Sequence, residues 1–275
     1  MKKRGTRIVF GIIVLILFCA YSYFRISSSP RSRDIGPAEP APSQAVESLP
    51  PEGGDAQPSE EPVETPEPTL DPNSPAGRAA ALNLPAPPDI DVTSWEFMLA
   101  NGTHSIAEYV PPELVSVEGL QFDSRIVDAL NAFVQDTRDQ GLKVYLSSAY
   151  RSYSDQAANF QRVVGNGYPD GKTSAGFYVT MPAGCSEHQT GLVCDITDIR
   201  YELKNSSIEN TETFKYMSAH CQDFGFILRF PSDKEDVTGV MYEPWHYRYV
   251  GIDAAKYIME NGLCLEEFLA LYGVE

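Results

Sequence analysis

The chain has 275 residues, with 38 acidic against 21 basic side chains and a formal net charge of −17. This excess of carboxylate speaks against nucleic acid as a partner, because phosphate binding depends on clustered Lys and Arg. Hydrophobic residues make up 43% of the chain but are unevenly spread, so it reads as three pieces.

The first piece, residues 1–29, opens with Lys2, Lys3, Arg4 and Arg7, followed by 17 uncharged residues from Ile8 to Phe24. That run is short for a bilayer span and long for the apolar core of a signal peptide. No small-x-small cleavage site follows it, and Cys19 comes after Phe18, where a lipid-modified cysteine favours a small residue. The basic cluster precedes the apolar run, which predicts a single-pass membrane anchor with a cytoplasmic N-terminus and everything after Phe24 outside. A cleaved signal peptide is the alternative. Residues 30–90 hold 15 of the 21 prolines, and residues 31–90 carry 11 acidic and three basic side chains. Such a segment buries too little apolar surface to offset its ordering entropy, so a disordered tether is expected. Residues 91–275 have the size of one ordinary domain.

Within that domain, Ile126, Leu130, Phe133 and Val134 recur at helical spacing across 122–140, with Asp123 as N-cap and Gly141 as stop. Leu142–Ser148 alternates as a strand does, and 152–167 reads as a second helix. A turn-rich loop over Pro169–Gly184 leads into "CSEHQTGLVCDI", whose second half is a strand candidate. A helix over Glu212–Phe224, strands in "FGFILRF" and "WHYRYVG", and helices over Ala254–Gly262 and Leu265–Tyr272 complete the chain. Helices and strands do not alternate regularly. The expected class is therefore α+β, a single domain with a small antiparallel sheet and flanking helices.

Cys185, Cys194, Cys221 and Cys264 are an even set in a domain expected outside the cytoplasm, which points to two disulfides. In a strand through Cys194 and Asp195, neighbouring side chains point to opposite faces. If Asp195 faces a site, Cys194 faces the core, as Cys221 does from its helix. Of the three connectivities, Cys194–Cys221 with Cys185–Cys264 is preferred. A Cys/His zinc site, using Cys185 with His188 or Cys221 with His220, is the competing reading and requires reduced thiolates.

The chain has four histidines. His188, Asp195 and His246 form a two-imidazole, one-carboxylate set suited to a catalytic zinc that keeps a fourth position open. Glu243 then has the role of general base. Its i,i+3 offset from His246 would put the two on opposite faces of a regular strand, but Pro244 between them breaks the ladder and lets a turn aim both at one centre. His104 and His220 have no acidic partner at a useful spacing and are read as structural, with Trp245 and Tyr247 as packing residues.

"SEHQTGLVCD" followed by "EPWH" resembles the VanY-type zinc D-alanyl-D-alanine carboxypeptidases, relatives of the VanX dipeptidases and of LD-carboxypeptidases. "SSAYRSYSDQAANF", "GFILRFP" and "VPPELV" extend the resemblance over roughly 97–272. It implies a hedgehog/D-Ala-D-Ala-peptidase-like fold and one Zn2+ held by His188, Asp195 and His246. Glu243 becomes the catalytic acid/base, Arg151 the arginine that reaches the substrate, and Ser186 and Gln156 residues lining the cleft. The implied reaction is removal of the terminal D-alanine from peptidoglycan stem peptides by metal-activated water, on the extracytoplasmic side of the cell membrane. The nearest alternatives are LD-carboxypeptidase or endopeptidase activity on the same polymer. A non-catalytic zinc-containing wall-binding module and a disulfide-rich interaction domain are the readings from other classes. Cys185 and Cys194 stand where the family has small or apolar residues, and are read here as disulfide partners bracing the ligand-bearing loop.

Overall fold

The computed structural model describes residues 70–201 and 203–274; the expected anchor and most of the expected tether lie outside them. The domain begins earlier than composition suggests. Helix α1 (Pro75–Ala80) carries proline at its first position, and its N-cap Ser74 hydroxyl accepts from the Gly77 amide. Beyond it Leu84, Ile90 and Val92 pack against a buried apolar cluster. The hydroxyls of Tyr257 and Tyr272 donate to the carbonyls of Pro85 and Pro88. Residues 70–90 thus differ from a solvated linker because the folded domain supplies partners for their apolar side chains and free carbonyls.

Strands β1 (Leu114–Val117) and β2 (Leu120–Asp123) form a hairpin whose tip residues, Glu118 and Gly119, both have positive φ (51° and 85°). This is the tight turn geometry that matches strand twist. The predicted helix starts later than Phe122. The backbone of Phe122 and Asp123 pairs with β1, a 3-10 turn covers Ser124–Ile126, and α2 runs over Val127–Asp139. Asp123 does cap, but it caps the 3-10 turn, accepting from the Arg125 amide.

The main sheet contains β3 (Tyr145–Ser148), β4 (Val193–Thr197), β5 (Phe226–Leu228) and β6 (His246–Tyr249), antiparallel throughout in the order β3-β4-β6-β5. Helix α3 (Tyr153–Gly165) follows β3, and α4 (Glu212–His220) is extended by a 3-10 turn over Cys221–Phe224. After the short α5 (Glu235–Thr238) and β6, helices α6 (Ile252–Glu260) and α7 (Leu265–Ala270) close the domain. The α+β class is as expected.

Strand alternation divides the sheet's two faces. Cys194 and its cross-strand partner Tyr247 enter the main core with Phe133, Leu130, Ile126 and Phe226. Asp195 pairs with His246 one position along, on the opposite face. Phe133 is fully buried, stacks at 5.4 and 5.5 Å on Phe224 and Phe226, and meets Tyr247 edge-on at 5.6 Å. Phe133→Ala is expected to cost about 3–5 kcal/mol, the range for emptying a buried aromatic site. The urea unfolding midpoint measures it.

The disulfide expectation is corrected: Cys185, Cys194, Cys221 and Cys264 are free thiols in the structure. Cys194 and Cys221 do share the main core, as strand alternation predicts, but as small apolar residues. Cys264 lies beside a different cluster and caps α7, its sulfur accepting from the backbone while Glu267 caps back to the Cys264 amide. Cys185 packs with Met181, Phe230 and Val240. Burial raises all four thiols, Cys221 to about 12, so they are poor thiolates. Among the described residues, the side chains grouped closely enough to hold a metal are His188, Asp195 and His246, with no cysteine among them, which removes the Cys/His zinc reading.

Candidate active site and metal centre

Three separate segments converge on the face of the sheet opposite the main core. Asp195 comes from β4 and His246 from the first position of β6. His188 comes from a 3-10 turn over Glu187–Thr190 that ends at Gly191. Gly191 has φ 73°, and a Cβ there would stand 2.9 Å from the Asp123 amide nitrogen, so the turn requires glycine. The loop after β3 fastens this turn from the other side: the Arg151 amide donates to the His188 carbonyl at 2.9 Å. His188 Nδ1 donates to the Ala149 carbonyl at 2.6 Å, which leaves Nε2 turned inward.

His188, Asp195 and His246 each offer a ligand atom, all within 4.8 Å of one another and all buried. Asp195 Oδ1 lies 3.0 Å from His246 Nδ1 and 3.6 Å from His188 Nε2. Two imidazole nitrogens and one carboxylate oxygen fit a catalytic zinc, because three protein donors leave a position for water or substrate.

The turn inferred from Pro244 is present. The His246 amide donates to the Glu243 carbonyl at 3.1 Å, and Glu243 Oε2 then stands 3.5 Å from His246 Nδ1. Burial, with the Asp195 charge, pushes Glu243 up to about 7 against the pull of His246, Lys204 and Arg151. His188 is pushed down to about 3 by burial and by the charges of Arg151 and His246, so its imidazole is neutral. For His246 burial is outweighed by Asp195 and Glu187, which raise it to about 9. Burial pushes Asp195 up as well, but Lys204 and the two histidines hold it well below the usual carboxylate range.

Arg151 is largely desolvated, which lowers its pKa, and the charges of Asp195 and Glu243 oppose that effect. Its Nη2 donates to the Ser148 hydroxyl at 3.0 Å and its Nη1 to Gln156 Oε1. Gln156 is 1% exposed and donates from Nε2 to the Met181 carbonyl. It therefore holds Arg151 rather than lining an open cleft. Ser186 is buried directly before Glu187. Trp245 and Tyr247 pack as expected. His220 does have an acidic neighbour, Asp223 at 3.5 Å across one turn, on the surface and apart from this centre.

The sequence pattern assigns no role to two residues of the site, although one of them, Glu187, lies within "SEHQTGLVCD". Lys204 Nζ ion-pairs with Asp195 Oδ2 and donates to the Ser147 hydroxyl at 3.2 Å, leaving Asp195 Oδ1 for the centre. Glu187 is buried between Arg229 and Arg248, each 2.8 Å from its Oε1. Burial raises its pKa and the two guanidiniums outweigh that, so it stays ionised.

The model of the VanY D-alanyl-D-alanine carboxypeptidase family matches residues 119–252, which contain all of these side chains. A D-alanyl-D-alanine carboxypeptidase of Enterococcus faecalis is 36% identical over 188 residues, covering 65% of this chain and 67% of that one. The chain belongs to this family. The putative carboxypeptidase YodJ of Bacillus subtilis is 41% identical over 143 residues, about half of each chain. Among solved VanY-family structures, a D,D-pentapeptidase variant from a VanB-type resistance cassette, in complex with Zn(II), aligns with a TM-score of 0.55 and 34% identity. That alignment covers 64% of this chain and 99% of the other. The LD-carboxypeptidase LdcB aligns with a TM-score of 0.56 and 31% identity, over 63% of this chain and 85% of its own.

Proposed function

We propose that this chain is a zinc-dependent D-alanyl-D-alanine carboxypeptidase that removes the terminal D-alanine from peptidoglycan stem peptides. The observation that carries the reading is the buried convergence of His188, Asp195 and His246 beside Glu243. Solved relatives in complex with Zn(II) and with D-alanine-D-alanine support the metal and the substrate class.

In this reading His188 holds zinc through Nε2, His246 through Nδ1 and Asp195 through Oδ1. When bound, zinc supplies Lewis acidity, making a water more acidic and polarising a carbonyl oxygen. Glu243 takes the proton from the water whose oxygen attacks the scissile carbonyl carbon. As the C–N bond breaks, Glu243 returns that proton to the leaving amine, giving free D-alanine and a shortened peptide carboxylate. Arg151, fixed by Ser148 and Gln156, places a permanent charge where the carbonyl oxygen becomes anionic. Gln156 acts through Arg151, and Ser186 lines the approach to His188.

Glu243 weighs against a binding module without turnover, since such a module needs no general base. The basic residues ahead of the 17-residue apolar run support a membrane-anchored chain with the domain outside, within reach of the wall. Incubating the zinc-loaded full chain with synthetic stem pentapeptide and tetrapeptide, and following D-alanine by mass spectrometry, tests the activity. Release from the pentapeptide is expected. Release from the tetrapeptide alone would move the specificity to that of an LD-carboxypeptidase, and release from neither would refute the carboxypeptidase reading.

A further inference from the structure

We propose that Glu187 is a positioning residue of the metal centre, whose carboxylate accepts the Nε2 proton of His246 and so turns the Nδ1 lone pair towards the metal. The proposal rests on the ligand assignment above.

A neutral imidazole has one N–H and one lone pair. A histidine that gives its lone pair to a metal must therefore carry its proton on the other nitrogen, and in a buried site that proton needs an acceptor. For His188 the acceptor is the Ala149 carbonyl, at 2.6 Å from Nδ1. His246 is turned the other way. Its Nδ1 faces Asp195 Oδ1 at 3.0 Å, and its Nε2 points away from the centre towards Glu187 Oε2 at 3.6 Å. Both His246 Nε2 and Glu187 Oε2 are buried atoms with no hydrogen-bond partner. Their separation is a few tenths of an ångström beyond hydrogen-bond length. Each is the polar atom placed to satisfy the other.

The other oxygen of Glu187 is held rigidly. Oε1 accepts from Arg229 Nε and Arg248 Nη1, both at 2.8 Å. Arg229 in turn makes a two-pronged pair with Glu266, and Arg248 donates to the carbonyls of Glu96 and Met98. The carboxylate is thus fixed in charge and orientation, with one oxygen committed to the arginines and the other aimed at His246. One 3-10 turn supplies a candidate ligand, His188, and the group that orients the other histidine. The two histidines present opposite nitrogens to the centre because different acceptors hold them.

The bland alternative is that Glu187 only neutralises two buried arginines. Glu187→Gln separates the two. Facing two guanidiniums, the amide must turn its oxygen to them and its NH2 to His246 Nε2. That NH2 demands a lone pair on Nε2 and drives the proton onto Nδ1, the nitrogen the metal needs. Zinc affinity of the full chain, measured by chelator competition, is expected to fall about 10- to 100-fold in Glu187→Gln. Glu266→Gln weakens the same arginine network without touching His246 and is expected to leave zinc affinity unchanged. Equal losses in the two variants would show a structural role only and overturn the proposal.

If Glu187→Gln does not fold, the wild-type chain still decides. Nitrogen NMR of its zinc-loaded histidines is expected to show His246 metal-bound at Nδ1 and protonated at Nε2. The reverse assignment overturns the proposal and leaves the ligand set intact. His246→Ala is expected to abolish tight zinc binding; undiminished affinity in that variant would sink the ligand assignment and this proposal with it.

Discussion

Glu243→Gln is expected to lower kcat by about 10²–10⁴-fold, the range for loss of a general acid/base, or about 3–5 kcal/mol of transition-state stabilisation. Its zinc content should remain one per chain. Glutamine keeps the shape of glutamate but cannot accept the water proton or return it to the leaving amine. Zinc should stay because His188, Asp195 and His246 form the donor set without Glu243. KM should change little, since the proposed role of Glu243 lies in proton transfer rather than in holding the peptide. Stem-pentapeptide kinetics on the zinc-loaded protein measure both constants. A variant that retained more than a tenth of wild-type kcat with zinc bound would remove Glu243 from the proton path. The position of the carboxylate explains why it suits that path. Burial and the neighbouring Asp195 charge raise it to about 7, far from the ordinary range of an exposed carboxylate and close to the pH at which it must both take and give a proton.

The parts of this site that were legible in the sequence depend on local geometry. Alternation along β4 puts Asp195 on one face and Cys194 on the other, and the Pro244 interruption turns Glu243 towards His246. What could not be read depends on residues far apart in the chain. Glu187 meets Arg229 and Arg248, 42 and 61 positions further on, so no periodic pattern announces it. Lys204 reaches Asp195 from a loop, where spacing carries no directional information. Phe122 precedes Ile126 at helical spacing and Asp123 suits an N-cap, yet pairing with β1 takes their backbone into a strand. Residues 70–90 have the composition of a tether, but Tyr257 and Tyr272 of the C-terminal helical region give their proline carbonyls donors. The four cysteines were even in number, and parity cannot tell a disulfide from a small buried residue. Cys185 and Cys264 lie in different parts of the domain, while Cys194 and Cys221 share the main core as free thiols that pack as small apolar residues.

Zinc uptake is expected to release one proton near pH 8, and apparent affinity to fall about tenfold for each pH unit between about 9 and 7 and more steeply below. The two histidines of the centre are unequal. His188 is held near 3 by burial and by neighbouring cations, so it is already neutral and offers Nε2 without losing a proton. Asp195 is held ionised by Lys204 and the histidines against its burial, so it too is ready. His246 is the exception. The Asp195 and Glu187 carboxylates outweigh burial and raise it to about 9, so at neutral pH it is an imidazolium and its Nδ1 proton must leave before a metal can bind. The sign follows directly. Because the metal-free pKa is raised, protons compete with zinc throughout the range below it, and affinity improves with pH until His246 is neutral. Between pH 9 and 6 this one site costs about 10³ in apparent affinity. Below about 7 a second proton joins it, because Glu243 is then protonated in the metal-free centre and the charge of zinc drives it off. Calorimetric titration in buffers of different ionisation enthalpy counts these protons. Near pH 8 the count should be one in both the wild type and Glu243→Gln; near pH 6 it should approach two in the wild type and stay at one in the variant. A count near zero at pH 8 would mean that His246 is already neutral in the metal-free centre, which contradicts the Asp195 and Glu187 carboxylates that hold its proton.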